Sequence, residues 1–271
     1  MRQVTGSITQ LGNAALRLVG FIGELGMLIA QAFAASPRLI FRKRGRRLAW
    51  RNLWFQMYRI GVKSIFVVAL VNFCIGVILA LQIVPILDQY GAADQIAAII
   101  GIAYVRELGP LIGAVVLTGF AGAAIAAEIG SMAVNEELKA MRSHAISPIR
   151  FLVAPRVLAA MVMTTCLAVV SDITGVVGGL VSTKAVLAMM STDYYVDLTF
   201  ASIDMLDFIT GLIKAAVFGV LIAALACKHG MEVRGGATGV GNATTRTVVI
   251  SIVTIILVDL IFTAIFFMLD L

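Results

Sequence analysis

Six ionisable side chains lie inside or at the ends of long apolar runs: Arg106, Glu107, Asp172, Asp207, Lys214 and Asp259. A charge at membrane depth is costly, so such residues are candidates for function. Arg106 and Glu107 are neighbours at the start of one run. Lys214 lies about 15 Å inside another at 1.5 Å per residue, where its long side chain can reach up towards them. An acid–base cluster of this kind suits a zwitterionic or anionic headgroup, with apolar walls for acyl chains. The same residues equally suit a buried structural pair that specifies helix contacts. Asp172 and Asp259 read as structural, although Glu107 and Asp259 together would also serve a proton-coupled carrier of a lipid or amphiphile.

Bond-making chemistry finds little support. There is no Ser-His-Asp set and no carboxylate pair at one membrane depth, so a membrane-embedded lipid enzyme lacks its catalytic pair. His144 and His229 are isolated, and Cys74, Cys166 and Cys227 lie singly in apolar runs, which suggests neither metal site nor disulfide framework. The glycine-rich loop read over 227–249 lacks the Gly-Lys-Ser/Thr ending of a nucleotide-binding loop and follows no strand. An uphill pump built on this chain would have to borrow its ATPase.

The elements that must position these residues follow from composition. The 271 residues are 61% apolar and 13% charged, about half the charge of a soluble domain. Residues 1–63 hold 11 Lys and Arg, 128–156 hold 4 and 228–246 hold 3, of 21 in all. The alternate connections, near 85–105 and 188–204, carry Asp88, Asp94, Asp193, Asp197 and Asp204 instead. The positive-inside rule then predicts a cytoplasmic N-terminus, 128–156 island and 228–246 loop, with the C-terminus outside. The basic residues need no nucleic-acid partner.

Five spans are predicted, over 64–87, 104–127, 148–187, 205–227 and 247–268. Asn72 and Gln82 interrupt the first, small residues crowd the second, and Pro155 and Gly175-x-x-x-Gly179 suggest a bend and a close crossing in the third. In the fourth, eleven Leu, Ile, Val and Phe residues at about −0.3 to −0.6 kcal/mol each outweigh about +2.5 to +3.5 for Lys214. Ahead of the spans, residues 1–60 read as an interfacial helix followed by a basic cytoplasmic linker. Val4, Ile8, Leu11, Ala15, Leu18 and Ile22 share one face of that helix, and Trp50, Trp54 and Tyr58 suit the headgroup belt.

Between spans two and three the chain leaves the membrane. A short amphipathic helix is expected over 131–146, capped by Ser131, with Val134, Leu138, Met141 and Ala145 along one stripe. Glu136, Glu137, Lys139, Arg142 and Ser143 fill its other faces, and Ser147-Pro148 suits re-entry. A rigid helix between two spans is a good handle for a soluble partner; the alternative is a helix resting on headgroups.

The runs FCIGVILALQ, RELGPLIGAVVLTGFAGAAIAAEIGSM, EELKAMRSHAISPIRFLVAPR and GGATGVGNATTRTVV resemble the MlaE/YrbE permease family of lipid-transport systems, over residue 64 to the C-terminus. The chain departs from that family at Phe120, where arginine is usual. The resemblance implies an all-α integral membrane protein: an N-terminal interfacial helix (1–60 with its linker), then a five-span permease domain (61–271) with a cytoplasmic coupling helix. It implies an ABC-type phospholipid permease subunit, without catalytic activity, working as a homodimer in the bacterial inner membrane. Its partners would be a cytoplasmic ATPase dimer carrying the ATP and Mg, a periplasmic MCE-domain protein and a small cytoplasmic regulator. The chain itself would hold no cofactor. Arg106, Glu107 and Lys214 would lie near the lipid cavity, and Glu136, Glu137, Leu138, Met141 and Arg142 would meet the ATPase.

Overall fold

With no water in hydrocarbon to satisfy N–H and C=O groups, a chain this apolar must close its hydrogen bonds internally. The computed structural model describes residues 2–41, 46–186 and 191–269, and among them every regular element is helical. Five stretches are long and apolar enough to span a membrane: Trp50–Gln89, Ala93–Val134, Ile149–Ala185, Met205–Met231 and Gly236–Met268. The chain is a multi-pass membrane protein.

Helix α1 (Arg2–Phe41) and α2 (Arg46–Ile60) precede the first predicted span. α1 lays Leu25, Leu28, Ala32 and Ala35 on the core and leaves Leu16, Val19, Ile22 and Met27 exposed. The side chains of Val4, Ile8, Leu11, Ala15 and Leu18 lie outside the described residues. The linker expected before span one is helical through α2, in keeping with the helical spacing of Trp50, Trp54 and Tyr58, which are exposed while Leu53 and Met57 pack on the core. A 3-10 turn joins it to α3 (Ile65–Gln89).

Span two is a jointed rod. It comprises α4 (Ile96–Ala103), α5 (Gly109–Leu117) and α6 (Ala123–Val134), joined by π turns at Tyr104–Leu108 and Thr118–Gly122. It reaches beyond the expected 104–127 because Ile96, Ala97 and Ile100 bury themselves, and α4 packs on α9 (Thr192–Ser202). A third π turn, Ile149–Val153, opens the span that continues as α8 (Ala154–Val186). Pro110 and Pro155 each stand two residues past a π turn, where a missing N–H has already removed one α-type bond. The bend expected at Pro155 thus takes the form of a π turn just before it.

The core lies where α8, α10 (Met205–Met231), α6 and α3 meet. The close crossing expected near Gly175 is present: a Cβ on Gly76 would stand 2.1 Å from the Gly175 carbonyl oxygen, so only glycine fits there. By contrast α11 (Gly236–Met268) has 11% of its apolar window buried, against 56% for α8 and for α10. It begins 11 residues before the predicted 247. The glycine-rich stretch read as a loop is therefore mostly helix, because Ala243 and Thr247 pack inside and packing overrides weak helix propensity. Gly235, at φ 90°, starts it.

The expected helix over 131–146 also needs correction. Ser131 lies inside α6 and caps nothing. The break comes at Asn135 and Glu136, the latter left-handed at φ 62°, and the free-standing helix α7 is Glu137–Ser143. Ala145, at φ 56°, has left the helix and the stripe.

Candidate functional site

The ionisable residues gather into two clusters near opposite ends of the spans. In the first, Lys214 has no exposed surface. Its Nζ donates to Glu107 Oε2 at 2.6 Å and to Thr263 Oγ1 at 3.0 Å, and Thr263 Oγ1 donates to Glu107 Oε1 at 3.1 Å. Asp259 Oδ1 stands 3.2 Å from the same Nζ, and the Phe266 ring centroid lies 5.7 Å from it. Beside this group, Arg106 Nη1 faces Asp207 Oδ1 at 3.4 Å. Spans two, four and five thus each contribute. Glu107 is placed by the π turn at Tyr104–Leu108, a feature common at functional sites.

The reach of Lys214 to Glu107 is as the sequence predicts. Asp259, read as structural, is a direct partner of Lys214, so Lys214 is shared by two carboxylates, where no carboxylate pair at one depth was expected. Asp172 stays outside the cluster. It is buried near Asn72, which donates to Val68 O at 2.9 Å and Ser171 Oγ at 3.1 Å, and Tyr104 donates to Asn72 O at 2.9 Å.

The second cluster was not anticipated. Glu128 Oε2 accepts from Arg59 Nη1 at 2.8 Å and Oε1 pairs with Arg156 Nη2 at 2.9 Å. Nearby, Lys228 pairs with Glu24 and with Glu232, the latter at 2.9 Å, and lies 5.1 Å from the Phe21 ring centroid. His229 Nδ1 meets Thr247 Oγ1 at 3.1 Å and its ring stacks on Phe21. A half-open cavity of about 240 Å³ lies at this end, lined by Gln31, Ala34, Ala35, Ser147, Ile149 and Arg150. Among the described residues no group of three or more His, Cys, Asp or Glu could hold a metal ion.

Helix α7 projects from this same end. Leu138 is buried and Met141 half-buried, while Glu136, Glu137 and Arg142 are exposed. Lys139 donates to Glu136 at 2.5 Å, and that bond, with the lysine's charge, holds the Glu136 carboxyl below its ordinary value. Phe120 is exposed within the second π turn.

Comparisons with known proteins bear on this arrangement. The profile of the family described as Permease MlaE matches residues 53–265. A probable ABC transporter permease protein of Rickettsia felis is 37% identical over 251 residues, 93% of this chain and 95% of its own. The chloroplastic protein TRIGALACTOSYLDIACYLGLYCEROL 1 of Arabidopsis thaliana is 31% identical over 86% of this chain and 66% of its own. The intermembrane phospholipid transport system permease protein MlaE of Haemophilus influenzae is 28% identical over 97% of this chain and 98% of its own. With five apolar spans, a short charged helix between the second and third, and a match over most of its length, the chain belongs to the MlaE family of ABC transporter permeases.

Proposed function

We propose that the chain is the membrane subunit of an ABC-type phospholipid transporter, working as a homodimer in a bacterial inner membrane. It passes lipid between that membrane and a periplasmic MCE-domain protein. The observation that carries the reading is α7: a short helix with its charged residues exposed, tied by its buried Leu138 to the end of span two. That is the form expected of a handle for a cytoplasmic ATPase dimer, which supplies the ATP and Mg chemistry and leaves room for a small regulator. Glu136, Glu137, Met141 and Arg142 make the contact, while Leu138, expected there too, is buried and seats the helix on the core. The basic character of this end supports a cytoplasmic placement. The thinly buried α11 leaves Val249, Val253, Ile256 and Leu260 for lipid or a second copy.

Arg106 and Glu107 line the lipid path in this reading, with buried Lys214 directly behind Glu107. Three carboxylates meet two cations there, which favours a headgroup bearing an ammonium as well as a phosphate. A proton-driven carrier is the second reading, and the pair of carboxylates on one lysine is what favours it.

Purification from native membranes, with mass spectrometry of bound proteins and lipids, tests the first reading. An ATPase and phospholipid are the expected companions. Reversing Glu136 and Glu137 to lysine should weaken ATPase recovery while membrane insertion stays intact, and unchanged recovery would remove the handle. Transport in vesicles lacking any ATPase would establish the carrier instead.

A further inference from the structure

Glu128 sits six residues before the end of α6, which a two-residue break joins to α7. Its two carboxylate oxygens engage arginines from two other elements, Arg59 of α2 and Arg156 of α8. The two arms differ. Arg156 is 2% exposed, and its Nη1 also donates to Leu152 O at 3.0 Å, inside the π turn that opens the third span. Arg59 and Glu128 are each about one-third exposed, so water can replace their bond. One arm is dry and holds α6 to the base of α8; the other is wet and can open and close.

We propose that Glu128 and Arg59 are positioning residues that carry movement of α7 into the spans. The inference rests on the ABC-permease reading of α7 given above. When α7 is drawn by its partner, the pull passes through the short Asn135–Glu136 joint to α6, the Arg156 arm turns the base of α8, and the Arg59 arm sets whether α2 follows. Arg59 contacts neither the handle nor the Lys214 cluster, so losing it should leave nucleotide hydrolysis running while its product is wasted.

The test uses the complete complex purified with this chain, reconstituted in phospholipid vesicles. Complex yield, ATP hydrolysis and lipid moved per ATP are measured together. Arg59→Ala should leave yield and hydrolysis unchanged within error and lower lipid moved per ATP about five-fold or more, the scale of a modest coupling energy. Arg59→Lys, which keeps the charge, should restore most of it. Wild-type lipid per ATP in Arg59→Ala overturns the proposal. So does a parallel fall in yield, hydrolysis and transfer, which marks a merely structural pair. Failure of wild-type chain to bring any ATPase with it instead defeats the underlying reading, and it is seen before any variant is made.

Discussion

Around Lys214, side chains from two other spans meet a lysine with no exposed surface, whereas Glu128 and one of its two arginines keep about a third of theirs. Both clusters place two like charges on one opposite charge. Exposure of the shared charge separates them. Lys214 itself is out of reach of solvent although Glu107 keeps 31% of its side chain exposed, so removing the lysine leaves Asp259, 13% exposed, without its cation. At Glu128 solvent can substitute for Arg59 but not for Arg156, so the cluster can lose one bond and keep its place.

That contrast is open to direct attack. The largest effect should come from Lys214→Met, which leaves Glu107 and Asp259 facing each other and should cost about 3–5 kcal/mol, read from denaturation of the purified protein. Adding Glu107→Gln and Asp259→Asn should recover that loss. If lipid transfer stays absent in the recovered variant, the cluster handles the headgroup; if transfer returns too, it is a structural pair.

Next in size is Glu128→Gln. It strips the countercharge from buried Arg156 but keeps an acceptor, for a loss of about 1–3 kcal/mol. A loss larger than that of Lys214→Met would break the wet-against-dry distinction. Asp207→Asn sharpens it, because Asp207 stands two turns before Lys214 on α10 yet pairs with the 37%-exposed side chain of Arg106. The effect there should be under about 1 kcal/mol, showing that exposure and not position decides.

The smallest effect belongs to Glu136 and Lys139, both exposed. Because the folded carboxyl titrates below its ordinary value, its contribution is present at neutral pH and fades as pH falls through that lowered value. Carboxyl NMR titration of Lys139→Met should find Glu136 back in the ordinary range, with the melting temperature nearly unchanged.

The spans were legible because apolar run length reports them directly, and the Lys214–Glu107 pair because a helical rise sets depth. Depth alone does not give the angle at which a residue faces around its helix. That is why the sequence joins Lys214 to Glu107 without naming Asp259 as its second partner, and does not show Glu128 between Arg59 and Arg156. The start of α11 was hidden by glycines whose low helix propensity is overridden by neighbours on other helices. The π turns did leave a trace in Pro110 and Pro155, but the one at Thr118–Gly122 has no proline after it and no such mark.

That unmarked turn has a consequence for how span two tolerates change. A π turn holds one residue more than the α turn it replaces, and each residue of a helix advances the azimuth by about 100°. Deleting one residue from Thr118–Gly122 would let the ladder close as ordinary α-helix with everything below still facing as it does, whereas deleting one from α5 or α6 would swing the lower rod by about that angle. In the second case Glu128 would point away from both arginines, and α7 would leave the protein in another compass direction. A missing residue is thus absorbed inside the π turn and becomes a rotation a turn away from it.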